Sequence, residues 1–316
     1  MKIVMLDAET LGSDANFDRI KNCGELIVYG MTSPDEVCER IKNAEVIVVN
    51  KVKLNKTNLM FAPNLKLICE TATGFDNIDL DYCRENGVAV CNVKGYSTDS
   101  VAQLTVGMAL SLVMHLGVFD RYVKTGSYTK SGVQNCLSPI FHEIAGMTWG
   151  IVGMGNIGKK TADIAKDLGA NIIAYNRTPR DDFEYTDIDD LCRRSDIISI
   201  HLPLNDDTRN LINKERIAMM KDNAVVINVA RGAIADEAAL TEAILQNKIG
   251  GLGIDVYSSE PMSEDSPYNK IFDKHNVIFT PHMAWGAIES RNRCLDEVGK
   301  NIEAFFNSNE KRNRVV

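Results

Sequence analysis

The chain has no cysteines spaced as C-x-x-C, no basic excess, no internal repeat and no low-complexity tract. It also has no apolar run near the ~18 residues of a membrane span. Each absence removes a class of protein. The eight cysteines are scattered. Cys69, Cys91 and Cys192 lie in or beside apolar segments, where cysteine acts as a small core residue. This pattern predicts free thiols, a reducing, cytoplasmic setting and no metal site. The net charge of −8 argues against a nucleic-acid partner, which would call for a basic stripe. No membrane partner is expected. The N-terminus, Met1-Lys2-Ile3-Val4-Met5-Leu6-Asp7, turns acidic too early for a signal peptide and reads as a first strand.

What is present fits an α/β protein. A length of 316 residues points to about two domains of ~150 residues, and an apolar fraction of 45% is enough for sizeable cores. Apolar runs at 3–6, 26–29, 46–49, 65–69 and 88–91 read as strands. Ser33-Pro34-Asp35-Glu36 has the pattern of a capping box that opens a helix through Ile41. A helix from Leu80 should stop at Gly87. Residues 97 to about 115 carry Val101, Leu104, Thr105, Met108, Leu112 and Val113 at helical spacing. From Gly117 to Gly146 the chain turns polar without a clear period, as in an arm that packs on another subunit. Further strands are expected at 196–201, 224–229, 252–256 and 277–280, with helices at 213–220 and 236–247 and a last helix at about 287–306. Strands alternating with helices at this pitch imply parallel sheets with right-handed crossovers.

The most specific local signal is Gly153-Met154-Gly155-Asn156-Ile157-Gly158. It lies between a strand, Trp149 to Val152, and a helix, Asn156 to Leu168, and the strand Asn171 to Tyr175 follows. In such a unit the first glycine makes the tight turn and the second lets a pyrophosphate approach. The third allows close helix–strand packing. The phosphates rest on free N–H groups at the helix N-terminus.

Three ionisable residues lie just past strand ends in the same half of the chain: Arg231 after Asn228-Val229-Ala230, Glu260 after Asp255-Val256, and His282 after Thr280-Pro281. Strand C-termini share one edge of a parallel sheet, so residues distant in sequence can converge there. Arginine holds a carboxylate or a polarised carbonyl with two hydrogen bonds. Histidine moves a proton near neutral pH, and a neighbouring glutamate orients it and favours its charged form. A carbonyl reduction by hydride needs all three roles.

These motifs, with Thr73-Gly74-Phe75-Asp76-Asn77-Ile78-Asp79 and Gly95-Tyr96-Ser97-Thr98-Asp99-Ser100-Val101-Ala102-Gln103, resemble the D-isomer-specific 2-hydroxyacid dehydrogenase family over nearly the whole chain. The resemblance implies two doubly wound parallel-sheet domains: a Rossmann dinucleotide-binding domain, 99–286, inserted into a flavodoxin-like substrate domain made of 1–98 and 287–316. It implies that Arg231 binds the substrate, that Glu260 supports the histidine and that His282 is the acid/base. Thr73 and Gly74 would hold the substrate carboxylate through backbone N–H groups, and Lys51 could face the substrate. The cofactor would meet Gly153, Gly155, Asn156, Ile157, Gly158, Leu202, Pro203, Val229, Ala230, Asp255, His282 and Ala284. Asp255 would lie beside the nicotinamide carboxamide. His201 reads as wall. The segment 117–146 and the long helix would form a two-fold homodimer interface.

Two positions narrow the reading. Trp285, three residues after His282, resembles the glycerate dehydrogenase and hydroxypyruvate reductase branch. Its indole either narrows the pocket for small keto acids or simply packs. Where NAD users of the family often carry an aspartate, this chain has Asn176, then Arg177 and Thr178; 176 − 155 = 21 residues, near the ~20 expected. With no carboxylate to repel a 2′-phosphate, NADP(H) is favoured over NAD(H), with Arg177 and Arg180 as phosphate partners. In the phosphoglycerate branch arginines tend to occupy the positions that here hold Asn50-Lys51 and Glu70. That activity, D-lactate dehydrogenation and a non-catalytic, corepressor-like dinucleotide sensor remain the alternatives.

Overall fold

In the structure, a computed structural model that describes residues 1–178, 183–308 and 312–316, the chain divides into two units. One comprises Met1–Ser97 and Trp285–Val316, the other Thr98–Ala284.

The first unit alternates β1 (Lys2–Met5), α1 (Asp18–Lys21), β2 (Glu25–Val28), α2 (Val37–Ile41), β3 (Val46–Val49), α3 (Lys56–Leu59), β4 (Leu67–Glu70), α4 (Leu80–Glu85) and β5 (Ala89–Cys91). The strands form one sheet, order β2-β1-β3-β4-β5, parallel throughout. β3 reads Val-Ile-Val-Val with every residue buried, the near-continuous apolar run of a strand covered on both faces. Ile3, Met5, Val46, Val48 and Leu67 face one core, together with Leu295, Val298 and Ile302 from helix Ile288–Glu303. Val4, Ile47, Val49 and Ile68 face the other. The helix start expected at Ser33 is a turn instead. The Ser33 hydroxyl and N–H both donate to Glu36 Oε2, at 2.7 and 2.9 Å, and Glu36 N–H donates to the Ser33 carbonyl at 3.0 Å. The Glu36 half of the box is therefore made, but α2 starts only at Val37, with Glu36 as its N-cap and no side-chain cap there.

The second unit opens with α5 (Thr98–Val113), α6 (Leu116–Lys124) and α7 (Ser127–Ser131). The stretch after Gly117 therefore begins as helix, against the expectation of an arm without a period. Leu116, Phe119 and Val123 do follow helical spacing, but over only nine residues. The break lies at His115, whose left-handed backbone (φ 53°) separates α5 from α6. Then come β6 (Thr148–Val152), α8 (Asn156–Asp167), β7 (Asn171–Tyr175), β8 (Glu184–Tyr185), α9 (Ile188–Arg194), β9 (Ile197–Ile200), α10 (Lys214–Met219), β10 (Val225–Asn228), α11 (Glu237–Leu245), β11 (Gly251–Ile254) and β12 (Val277–Phe279). Their sheet order is β12-β11-β10-β9-β6-β7-β8, again parallel throughout. Sequence reading missed β8 and α9. The latter is capped by Asp187, which accepts from Asp190 N–H at 2.8 Å. Among the described residues no single helix is long and apolar enough to cross a membrane, and no cluster of three metal-ligating side chains occurs.

Candidate active site and cofactor-binding edge

The carboxyl ends of β10, β11 and β12 are neighbours in the second unit. Backbone hydrogen bonds continue past the strands: Asp255 N–H to the Asn228 carbonyl at 3.0 Å, and His282 N–H to the Asp255 carbonyl at 2.8 Å. Past β11 the chain loops back, so that Glu260 Oε2 lies 2.6 Å from His282 Nδ1. The other carboxylate oxygen of Glu260 accepts from Tyr257 N–H at 3.1 Å. Glu260 is thus fixed at both ends, and it engages His282 through Nδ1 rather than Nε2. The His282 backbone is left-handed, φ 51°, an uncommon state for a non-glycine residue.

Asp255 holds that conformation. Its Oδ1 accepts from the Thr280 hydroxyl at 2.6 Å and from Met283 N–H at 2.9 Å. Its Oδ2 accepts from Ala284 N–H at 3.0 Å. Tyr257 adds a hydrogen bond from its hydroxyl to the Thr280 carbonyl at 2.9 Å. Burial pushes the Asp255 carboxyl above its ordinary value, against the opposing pull of these hydrogen bonds and of His282. Asp255 was expected beside the cofactor; here it is fully buried and both oxygens serve the loop that carries His282.

Arg231 sits one strand over. Buried Asn228 folds the turn that presents it, accepting from Ala230 N–H at 3.1 Å and donating to the Arg231 carbonyl at 3.0 Å. Arg231 Nη1 donates to the Ala230 carbonyl at 2.8 Å. A Cβ on Gly232 would lie 2.1 Å from the Tyr257 carbonyl carbon and 2.2 Å from Ser258 N. Only glycine lets the arginine turn press on the loop that leads to Glu260.

The glycine turn lies at the end of β6. Gly153 is left-handed, φ 104°, and a Cβ there would come within 2.9 Å of the His201 carbonyl carbon and Leu202 N. A Cβ on Gly158 would lie 2.0 Å from the Gly153 carbonyl oxygen. Gly155 differs: nothing lies within 4 Å of its ideal Cβ, and it is exposed, as is Asn156. Ile157 is half-buried. No side chain caps α8. A closed turn, an open middle glycine and an uncapped helix N-terminus fit a pyrophosphate. Leu202 is half-buried, Pro203 exposed, and Val229, Ala230 and Ala284 line the same strand ends with little exposure.

At the end of β7, Asn176 is already engaged. Its Oδ1 accepts from Met154 N–H at 3.3 Å and its Nδ2 donates to the Thr178 carbonyl at 2.8 Å. It ties the loop to the glycine turn. Arg177 and Thr178 are exposed; Arg180 lies outside the described residues. His201, expected as wall, belongs to a chain of polar groups with Ser199 and Trp149 that sequence reading missed.

The remaining candidates belong to the first unit. Asp7 accepts from the N–H groups of Asn50, Lys51 and Val52 at 3.0, 2.6 and 3.0 Å, which shapes the turn that carries exposed Lys51. Thr73 is held by its hydroxyl to the Val93 carbonyl at 2.8 Å, and its own carbonyl accepts from Asn92 Nδ2 at 2.7 Å. Gly74 follows in the same loop. Glu70 is fully buried and accepts from Asn77 Nδ2 at 3.0 Å. Burial drives its carboxyl well above the ordinary range. Trp285 packs edge-on to Tyr96, ring centroids 6.4 Å apart, against the first unit's core.

Comparison with known proteins agrees with this layout. Residues 106–284 match the family described as D-isomer specific 2-hydroxyacid dehydrogenase, NAD binding domain. A hydroxypyruvate reductase of Blautia hydrogenotrophica is 34% identical, covering 97% of this chain and 97% of its own. A glycerate dehydrogenase of Methylorubrum extorquens is 36% identical, with 96% of each chain covered. Among solved structures, a D-lactate dehydrogenase of Aquifex aeolicus complexed with NAD and lactic acid superposes with a TM-score of 0.83 at 32% identity, over 96% of this chain and 95% of its own. The chain belongs to the D-isomer specific 2-hydroxyacid dehydrogenase family of oxidoreductases.

Proposed function

We propose that the protein reduces a small 2-keto acid, of the hydroxypyruvate or glyoxylate type, to the D-2-hydroxy acid. The observation that carries this reading is the 2.6 Å contact between His282 Nδ1 and an anchored Glu260, on the strand edge that also presents Arg231. A bound nicotinamide supplies the hydride. His282 gives the second hydrogen, as a proton from Nε2 to the carbonyl oxygen. Glu260 orients the ring, and Asp255 and Tyr257 hold the loop that presents it. Arg231 offers its planar fork to the substrate's carboxylate and carbonyl. In the first unit, Thr73 and Gly74 offer backbone N–H groups and Lys51 an ammonium to a carboxylate. Trp285 limits substrate size through its fixed packing on Tyr96.

NADPH is the preferred reductant in this reading. Asn176 brings no charge to repel a 2′-phosphate, and exposed Arg177 adjoins it. The protein acts as a homodimer through α5, α6 and the stretch to Gly146, where Leu116, Val123, Val133, Leu137 and Ile140 are exposed.

The test is oxidation of NADPH and of NADH, followed by absorbance, across a panel of 2-keto acids. Turnover of a small keto acid is expected, with higher kcat/KM for NADPH, and His282→Ala should lower the rate about 10²–10⁴-fold. Silence across the panel, or near-normal turnover in His282→Ala, would remove this function.

A further inference from the structure

The strand order of the second unit reverses between β6 and β9. A dinucleotide crosses an open α/β sheet at such a point. His201 is the first residue past β9, and its N–H donates to the Val152 carbonyl at 2.7 Å, beside the glycine turn. His201 is half-buried with its Nδ1 buried, and burial pushes the imidazole down to about 3. At neutral pH the ring therefore carries one proton, on Nδ1 or on Nε2.

The neighbours decide which. Trp149 Nε1 donates to Ser199 Oγ at 3.0 Å, and an indole nitrogen can only donate. The same Oγ lies 2.9 Å from His201 Nε2. If Ser199 donates its proton in a hydrogen bond to Nε2, both hydrogen bonds of the relay are made and the histidine proton sits on Nδ1. If Nε2 carries the proton instead, the Ser199 hydroxyl receives two hydrogen bonds and its own proton has no acceptor in the relay. A buried polar group left unpaired costs about 1–3 kcal/mol; the first arrangement leaves one, Nδ1–H, and the second leaves two, the Ser199 proton and the Nδ1 lone pair, so the first is favoured. His201 Nδ1 is itself buried and has no hydrogen-bond partner among the described residues. A native structure seldom leaves such a group without a purpose.

We propose that His201 is a cofactor-binding residue: the Trp149–Ser199 relay locks its proton on Nδ1, and Nδ1–H donates to an oxygen of the dinucleotide bound at the β6/β9 crevice. The proposal rests on dinucleotide binding by this unit. It gives Trp149 and Ser199 a positioning role that neither has in proton transfer.

The experiment uses the full-length protein with ¹⁵N-labelled histidine. The chain has five histidines, and the resonance missing from His201→Asn identifies the right one. In the free protein near neutral pH, His201 should show the Nδ1–H tautomer, and titration with NADPH should shift that proton resonance. NADPH fluorescence is read on the same samples. His201→Asn keeps an amide near the Nδ1 position, and its dissociation constant should stay within about threefold of wild type. His201→Gln places its amide near Nε2 and should weaken binding about three- to tenfold, the size of one neutral hydrogen bond. Ser199→Ala should release the lock and give a mixture of tautomers. An Nε2–H tautomer in the wild type, or an unmoved resonance while fluorescence reports saturation, would overturn the proposal and leave cofactor binding intact. Absence of any fluorescence response to either dinucleotide would sink the binding reading and this proposal with it. The wild-type spectra decide the matter even if a variant fails to fold.

Discussion

Two glycines of the 153–158 turn make opposite demands, and replacing each by alanine separates a folding requirement from a binding requirement. At Gly158 the added Cβ would lie 2.0 Å from the Gly153 carbonyl oxygen, with Ile151 Cγ2 at 3.1 Å. An ordinary contact begins at 3.4 Å, so α8 and the turn must separate by 3.4 − 2.0 = 1.4 Å. The obstacle is backbone, which cannot swing aside as a side chain can. Overpacking of this kind costs about 1–3 kcal/mol, and the upper end applies here. For a unit of this size that lowers the unfolding midpoint by about 6–12 °C. Cofactor affinity should fall too, because the helix N-terminus moves away from the phosphates.

At Gly155 the free protein has room: φ is −77°, and nothing lies within 4 Å of the ideal Cβ. The only intrinsic penalty is the weaker N-cap preference of alanine, less than about 1 kcal/mol. Gly155→Ala should therefore melt within a few degrees of wild type. The methyl group would still occupy the space through which a pyrophosphate reaches the backbone N–H groups. Loss of one charge-assisted hydrogen bond, about 1.5–3 kcal/mol, raises the dissociation constant about ten- to a hundredfold. Thermal denaturation and NADPH fluorescence titration on both variants read the two effects independently. If Gly155→Ala binds NADPH within about twofold of wild type, no phosphate approaches the backbone there and the assignment of the turn is wrong.

Three further outcomes are expected. Arg231→Lys keeps the charge but loses the planar fork, so kcat/KM for keto acids should fall by about tenfold or more with NADPH affinity retained; unchanged kcat/KM would remove the bidentate contact. Glu70→Gln tests the buried acid of the first unit. Its folded carboxyl is held above the ordinary 4.5, so the stability it contributes is present below 4.5 and is lost as pH rises toward the folded value. The variant should therefore melt above wild type near neutral pH and converge with it in acid, and a gap that does not vary with pH would refute this. Light scattering should give twice the chain mass of 35.0 kDa, and a monomer at micromolar concentration would contradict the proposed interface.

The strand ends were legible because parallel strands buried on both faces leave uninterrupted apolar runs, and each run stops where the chemistry starts. Ile-Ile-Ser-Ile before His201 and Val-Val-Ile-Asn before Arg231 are of this kind. The glycine turn was legible for a related reason, since only glycine tolerates both a left-handed backbone at 153 and a 2.0 Å approach at 158. Helix α6 was not. Its stripe of Leu116, Phe119 and Val123 spans little more than two turns, and the residue that breaks the chain, His115, does so through a left-handed backbone that histidine only rarely adopts.

Side-chain partners between strands were the other hidden layer. Position 176 was read for what its lack of charge does to a 2′-phosphate, but the fold uses both ends of that amide to tie Met154 N–H to the Thr178 carbonyl. Asp255 was read as a cofactor neighbour, but its oxygens are taken by Thr280, Met283 and Ala284. In both cases the residue type was informative and its partner was not, because the partner comes from a loop whose path depends on the finished sheet. The same holds for Trp149, Ser199 and His201. Trp149 and Ser199 are 50 residues apart in sequence, and they meet only because β6 and β9 are adjacent where the strand order turns back. That adjacency is also the geometric condition for a dinucleotide crevice. The fold feature that admits the cofactor is therefore the one that assembles the relay and sets the tautomer of the histidine beside it.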